Sequence, residues 1–143
     1  SGQGFNLAPA APTRLFAYGL HLGARLPVHA TSTGRVLLAA MSKGELTLWL
    51  KGRNLPRLTT YTISTIPAFR AEIDRVRSND YCLAVEEHEL GVHALAVPLR
   101  DLHGRTLAAL NVVLPGACPH AQRTCAAWLP VLQQAARELR PLL

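Results

Sequence analysis

Apolar side chains recur at helical spacing in four parts of the chain. This spacing predicts a helix that Thr31 or Ser32 caps, a short helix from Lys43 that ends at Gly52, an amphipathic helix over Ile66–Ser78, and a terminal helix over Ala121–Leu139. A hydroxyl at the start of the first helix can accept a hydrogen bond from a first-turn N–H. Pro130 lies inside the terminal helix, where we expect it to kink the helix or to begin a second one.

Strand-like patterns occupy four further segments. They predict strands over Leu15–Leu22, Tyr81–Glu86, Val92–Leu99 and Arg105–Leu114. The links between the last three strands are too short for parallel crossovers, so we expect an antiparallel meander. The last two strands are apolar on both faces, which indicates helices on both sides of the sheet. Residues 1–13 show little pattern, and residues 53–65 are expected to form a surface loop. The predicted fold class is α/β of the α+β type.

One polar residue interrupts an apolar strand face. Asn111 shares its face with Ala109 and Val113, and a buried amide there needs a partner, which a ligand or a backbone group could supply. Small residues on the preceding strand, Val92 and Ala94 among them, leave room beside it. The start of the first helix offers N–H groups to an anion. Together these features predict a pocket for a small organic anion; the alternative is an ordinary capped core helix.

Composition narrows the class of protein. The 143 residues are 49% hydrophobic with a net charge of +6, and no apolar run is long enough to span a membrane, so we expect one globular domain without a membrane partner. The positive charge suggests nucleic acid. However, the arginines, which include Arg35, are scattered, and aromatic residues make up only 6%. Most of the arginines are therefore interpreted as lying on solvated faces.

The residues that carry catalysis or bind metals show no convincing pattern. The three cysteines are odd in number, and Cys118-Pro-His120 with Cys125 matches no closed zinc site. We expect buried free thiols in a reducing cytoplasm, no metal and no cofactor. The acidic run around His88 is interpreted as a solvated loop. No acid is placed to orient a histidine, so we predict no catalytic residue. An enzyme using His29, His88 or His93, a nucleic-acid-binding module and a ligand-free interaction domain remain the alternatives.

Three separated motifs resemble one family. LPVHATSTGRVLLAA at residues 26–40, EEHELGVHALAVPLRDLHGRTLAALNVV at 86–113 and LQQAAREL at 132–139 resemble the effector-binding domain of the IclR family of bacterial transcriptional regulators. The segment YTISTIPAFRAEIDRVRSNDY at 61–81 is similar to the subgroup that controls protocatechuate, 4-hydroxybenzoate and β-ketoadipate catabolism.

The resemblance implies a particular domain organisation. It implies a sensory domain akin to the GAF and profilin-like folds over residues 14–143, after an atypical or truncated segment at residues 1–13. It also implies a winged helix-turn-helix domain, absent from this chain, through which alone the protein would contact DNA. The implied function is sensing of a small carboxylate, of aromatic or dicarboxylic type, by a cytoplasmic homodimer or homotetramer.

The family's pocket also carries over residue by residue. The positions that match it are Ser32, Thr33, Gly34, Ala84, Val92, Ala94, Asn111 and Val113, with Leu26 and Tyr18 as further apolar wall positions. The family member that binds two-carbon acids has an acid near position 84 and hydroxyls on the last strand. Because Ala84, Asn111 and Val113 stand there instead, the resemblance implies a larger and less polar effector.

Overall fold

An antiparallel sheet between two layers of helices forms the framework of the protein. The computed structural model describes residues 27–116 and 120–143, together with the backbone of β1 (Gln3–Phe5) and β2 (Arg14–Gly19). The described helices are α1 (Ser32–Ala39), α2 (Lys43–Leu50), α3 (Ile66–Asn79) and α4 (His120–Leu139), with short 3-10 turns at Val28–Ala30 and Arg140–Leu142. The remaining strands are β3 (Cys82–Val85), β4 (Val92–Arg100) and β5 (Thr106–Pro115). This arrangement confirms the predicted α+β class.

The strands of the described sheet lie in the order β1-β2-β5-β4-β3, and each neighbouring pair is antiparallel. The meander from β3 to β5 is therefore confirmed. Its register places Ala94 opposite Val113 and Ala96 opposite Asn111. Directly opposite residues share a face, so these four side chains belong to one side of the sheet.

Local capping chemistry sets the helix ends. Thr31 Oγ1 accepts a hydrogen bond from the Gly34 N–H at 3.2 Å, which makes Thr31 the cap of α1. Ser42 and Glu45 form a reciprocal capping box at the start of α2. Asp80 ends α3 in a left-handed conformation, with φ of 63°. These ends lie within a residue or two of the predicted ones.

Each face of the sheet has its own core. On one side, Ala96 and Ala109 pack with Val36 of α1 and Val76 of α3. On the other side, the alternate strand residues, such as Leu95 and Val112, pack under α4. A third cluster joins α1, α2 and α3 around Phe69 and Ile73. The prediction that helices cover both sides of the sheet is confirmed.

The structure differs from the sequence prediction in three places. Gln3–Phe5 forms a strand paired with β2, and three residues are too few to show a period of two. Helix α4 continues through Pro130, so no second helix begins there. The loop at 53–65 is not wholly a surface segment, because Leu55 and Thr62 are buried. The predicted continuation of β2 to Leu22 lies outside the described residues.

Candidate functional site

A cavity of about 220 Å³ lies where the start of α1 meets the sheet. Its floor comes from Ala84 of β3, Val92, His93 and Ala94 of β4, and Asn111 and Val113 of β5. Its helical wall consists of Ala30, Thr31, Ser32 and Thr33, and its third wall of the β3–β4 loop at Glu87, His88 and Glu89. Small side chains on β3 and β4 create the space, since larger ones would fill it.

The start of α1 presents free backbone donors to this cavity. The first N–H groups of any helix have no partner within it. Here Thr31 Oγ1 accepts a hydrogen bond from the Gly34 N–H, and the Arg35 N–H donates to the Thr31 carbonyl. In the described part of the chain, the N–H groups of Ser32 and Thr33 have no such partner, and both residues line the cavity. With the helix dipole behind them, these two groups form a place for a carboxylate.

Three of the residues that line the cavity, Ser32, His93 and Asn111, have a buried side-chain polar atom without a hydrogen-bond partner among the described residues. The His93 atom is Nε2, and His93 lies opposite Leu114 in the register, so its side chain belongs to the strand face opposite to that of Asn111. Ser32 Oγ and Asn111 Oδ1 have no partner among the described residues, although the two residues are only 1% and 5% exposed. They come from different walls, one from the helix start and one from the central strand of the sheet. A buried polar atom without a partner costs free energy, so both atoms are suited to a ligand that supplies the missing bond.

A buried arginine supports the acidic loop from behind. Arg35 of α1 is 0% exposed, and its Nη1 donates to Glu87 Oε2 at 2.7 Å and to Glu72 Oε2 at 3.1 Å, while its Nη2 donates to Glu87 Oε1. Burial lowers the pKa of Arg35, but the bond to Glu87 and the nearby charges outweigh it, so the pKa lies above its usual value. Arg35 is an exception to the interpretation that most of the arginines lie on solvated faces, because it faces two carboxylates inside the protein.

The loop at 53–65 fastens the acidic loop from a second direction. Thr59 Oγ1 donates to the Glu86 carbonyl at 2.6 Å, and Thr62 Oγ1 donates to the Glu87 carbonyl at 2.5 Å. The Ile63 N–H donates to Glu87 Oε1 at 3.0 Å. Glu87 is therefore fixed by both its backbone and its side chain, whereas His88 and Glu89 are exposed, as the interpretation of this run as a solvated loop predicts.

The structure brings together most of the residues that the sequence assigned to the pocket. Those that line the cavity are Ser32, Thr33, Ala84, Val92, Ala94, Asn111 and Val113. Gly34 does not line it: its N–H is taken by Thr31, and a side chain there would meet the Val28 carbonyl oxygen at 2.2 Å. Tyr18 lies on β2 with its backbone opposite Ala109, but its side chain, like all of Leu26, lies outside the described residues.

His29, His93 and Cys82 have structural surroundings, whereas His88 is exposed in the cavity wall. His29 donates through Nε2 to the Pro56 carbonyl at 2.8 Å, and His93 through Nδ1 to the Gly116 carbonyl at 3.0 Å. Burial raises the pKa of Cys82 to about 12, which keeps the thiol protonated. The described residues contain no group of three metal-binding side chains, and Cys118 and the side chain of His120 lie outside them.

Sequence reasoning did not assign Arg35 to the site, nor six of the residues that line the cavity. Those six are Ala30, Thr31, Glu87, His88, Glu89 and His93. One signal was available: Arg35 is the one charged residue in the eight-residue helix STGRVLLA. A single charge among small and apolar residues of a packed helix indicates a buried partner. The identity of that partner was hidden, because Glu72 and Glu87 lie 37 and 52 positions further along the chain.

Comparison with known proteins shows the family to which this chain belongs. Residues 10–140 match the family model described as the C-terminal domain of the bacterial transcriptional regulator IclR, so the chain belongs to this family. It is 45% identical over 130 residues to the p-hydroxybenzoate hydroxylase transcriptional activator of Acinetobacter baylyi, an alignment that covers 91% of this chain and 48% of that protein. The chain spans about half the length of the curated relatives it matches.

Two solved structures extend the comparison. A double mutant of the PobR inducer-binding domain from Acinetobacter, in complex with 3-hydroxybenzoic acid, has a TM-score of 0.79 and 46% identity, over 86% of this chain and 72% of that one. An IclR homologue from Microbacterium hydrocarbonoxydans in complex with 4-hydroxybenzoate has a TM-score of 0.68 and 31% identity, over 79% of this chain and 44% of that one.

The family and the named relatives confirm the predicted class. The chain is a C-terminal, effector-binding domain of the IclR family, whose named relatives are transcriptional regulators, and its resemblance to regulators of hydroxybenzoate catabolism is confirmed. Among the described helices, none is long and apolar enough to cross a membrane.

Proposed function

We propose that this domain senses a hydroxylated aromatic acid in the cavity beside α1. The Ser32 and Thr33 N–H groups hold the carboxylate, and Asn111 Oδ1 accepts a hydrogen bond from a ring hydroxyl. The observation that carries the proposal is the pair of unpartnered buried atoms, Ser32 Oγ and Asn111 Oδ1, in two walls of one cavity. Val92, Ala94 and Val113 pack against the ring.

The size of the cavity suits one substituted ring. An engineered apolar cavity of about 150 Å³ binds benzene, so about 220 Å³ accommodates a benzene ring with a carboxylate and a hydroxyl group. A two-carbon acid would leave most of this apolar wall uncovered. Two related domains were solved with 3-hydroxybenzoic acid and with 4-hydroxybenzoate, which supports the same ligand class. Leu26 and Tyr18 remain proposed wall positions.

The remaining elements of the function follow from the family. In this proposal the domain covers residues 14–143 of a longer regulator and assembles as a homodimer or homotetramer. Effector binding then shifts the balance between assembly states that differ in operator affinity, through an N-terminal winged helix-turn-helix domain. The described free thiols, Cys82 and Cys125, are compatible with a reducing cytoplasm.

Thermal unfolding of the chain with a ligand panel tests the proposal. The panel contains 3-hydroxybenzoate, 4-hydroxybenzoate, protocatechuate, benzoate, β-ketoadipate, pyruvate and glyoxylate. A ligand at about 100 times its dissociation constant adds roughly 2.7 kcal/mol to the free energy of unfolding, a rise of several degrees in Tm. We expect this rise with a hydroxylated benzoate and little change with pyruvate or glyoxylate. No rise with any aromatic acid, or an equal rise with glyoxylate, contradicts the proposal.

A further inference from the structure

Glu87 belongs both to the cavity wall and to the ion cluster beneath it. Its side chain is 11% exposed and accepts two hydrogen bonds from the guanidinium of Arg35, which is itself 0% exposed. Glu89 and His88 line the same wall. The negative charge of Glu87 therefore lies next to the space that an effector would occupy.

Arg35 connects the cavity wall formed by the β3–β4 loop to the wall formed by the start of α1. Besides Glu87, its guanidinium reaches Glu72 on α3 at 3.1 Å, and its Nε donates to the His29 carbonyl at 2.8 Å. His29 lies in the 3-10 turn that leads into α1. One side chain therefore joins the turn before the helix, the acidic loop and α3, and fixes the two polar walls of the cavity relative to each other.

The placement of Glu87 creates an electrostatic problem for an anionic ligand. A carboxylate at the start of α1 shares the cavity with Glu87, whose side chain is only 11% exposed, and like charges repel more strongly where water is sparse. Arg35 carries the compensating charge and lies in contact with Glu87. Glu72 shares that charge, but it is also paired with Arg75 at 2.8 Å.

We propose that Arg35 is a positioning residue that makes the cavity selective for carboxylates, by neutralising Glu87 and holding it away from the start of α1. The inference rests on the proposed function and concerns how the same cavity discriminates a charged ligand from an uncharged one. The measured quantity is the ratio of the dissociation constants for 4-hydroxybenzamide and 4-hydroxybenzoate. These compounds share a ring and hydroxyl and differ chiefly in charge.

The experiment is calorimetric titration of both compounds into the wild-type chain and its variants. In Arg35→Gln, the ratio of amide to acid dissociation constants falls roughly tenfold, because Glu87 keeps its charge and loses its counterion. In Glu87→Gln the ratio rises severalfold, because the cavity wall becomes more positive. The double variant returns towards the wild-type ratio. Arg100→Gln is the matched control, since Arg100 pairs with Asp80 outside this cavity, and its ratio stays unchanged.

The outcomes separate this inference from the proposed function. A wild-type chain that binds neither compound overturns the proposed function and the inference with it. A wild-type chain that binds the acid, with an unchanged ratio in Arg35→Gln, overturns the inference alone. If Arg35→Gln does not fold, Glu87→Gln decides, and an unchanged or lower ratio there overturns the inference. A general loss of affinity for both compounds indicates a merely structural role for Arg35.

Discussion

Asn111 shows at the residue scale how binding can compete with stability. Its amide oxygen is buried without a partner in the described structure, next to the apolar Val113 and Ala109 on the same strand face. Such an atom typically costs about 1–3 kcal/mol of folding free energy. We interpret this cost as the consequence of keeping an acceptor ready for a ligand hydroxyl.

Replacing this amide by an apolar side chain separates its contribution to ligand binding from its effect on stability. We expect Asn111→Leu to fold at least as stably as the wild type, since Leu has a similar volume and needs no hydrogen bond. Its affinity for 4-hydroxybenzoate falls about tenfold, the value of one lost hydrogen bond. Benzoate, which has no ring hydroxyl, serves as the control in the same titrations. Equal losses for both ligands would contradict the assigned role of Asn111.

Gly34 shows a different constraint, which is steric. A Cβ at Gly34 would meet the Val28 carbonyl oxygen at 2.2 Å, whereas the nearest atom to a Cβ at Gly44 in α2 is 4.0 Å away. We predict that Gly34→Ala lowers the free energy of unfolding by about 2 kcal/mol or more. Gly44→Ala, the matched control, raises it by about 0.5–1 kcal/mol through helix propensity. Chemical denaturation measures both; a neutral Gly34→Ala would show that the turn before α1 adapts freely.

The residues of the cavity differ in how far the sequence could predict them. Asn111 followed from a period of two along its strand, and the choice of Thr31 or Ser32 as the cap followed from the neighbouring residues, because both signals are local; the structure shows that Thr31 is the cap. Arg35 could not be assigned from its surroundings in the sequence, since its partners Glu72 and Glu87 come from α3 and the β3–β4 loop. Long-range charge pairing leaves little trace in local spacing.

At the scale of elements, capping and turn chemistry made the boundaries predictable. The helices α2 and α3 begin at Lys43 and Ile66, where the sequence predicted. The turn between β4 and β5 is held by Asp101, whose Oδ1 accepts from the N–H groups of His103 and Arg105 at 2.9 and 3.0 Å. Strand β1 and the continuation of α4 past Pro130 depend on tertiary pairing and packing, so the local pattern did not show them.

The Asp101 turn gives the domain a pH-dependent contribution to stability. The bonds to Arg105 and His103 lower the pKa of Asp101 from its ordinary value. A lowered pKa in the folded state stabilises the fold above the unfolded pKa of about 4, and that contribution is lost as the pH falls through the folded value. We expect Asp101→Asn to have a lower Tm than the wild type at pH 7, with the difference shrinking as the pH falls below about 4.

A thermal melt series across pH measures this directly. Asp74→Asn, which removes one partner of an exposed pair with Arg77, serves as the control and should show little difference at either pH. A difference between Asp101→Asn and the wild type that stays constant from pH 7 to pH 3 would contradict the assignment to this carboxylate.

At the scale of the whole molecule, the two apolar faces of β4 and β5 predicted the layers, but not the cavity between them. The cavity depends on the register that sets Ala94 opposite Val113 and on the docking of α1 at that end of the sheet. Both are long-range relations. The local pattern therefore did not show which residues share a pocket. The family resemblance did, because it assigned positions on α1 and on the strands to one pocket.

The charge of the molecule carries a further prediction. Although the net charge is +6, several arginines of the described structure are paired with carboxylates, as in Arg35–Glu87, Arg77–Asp74 and Arg100–Asp80. We therefore expect only weak binding of this chain to duplex DNA, without sequence preference and lost as salt rises. Fluorescence anisotropy with a hydroxybenzoate-operon promoter and a scrambled duplex measures it. A clear preference for the promoter would show that this domain reads DNA itself.

The central claim is that the start of α1 holds the carboxylate of the effector, and backbone NMR tests it most directly. Amide spectra of the labelled chain would be followed during titration with 4-hydroxybenzoate and, as the uncharged comparison, 4-hydroxybenzamide. We predict that the amide protons of Ser32 and Thr33 shift downfield and more strongly with the acid, while the amide proton of Gly34, already bonded to Thr31, moves less. Binding of the acid without a shift at Ser32 and Thr33 would contradict this claim.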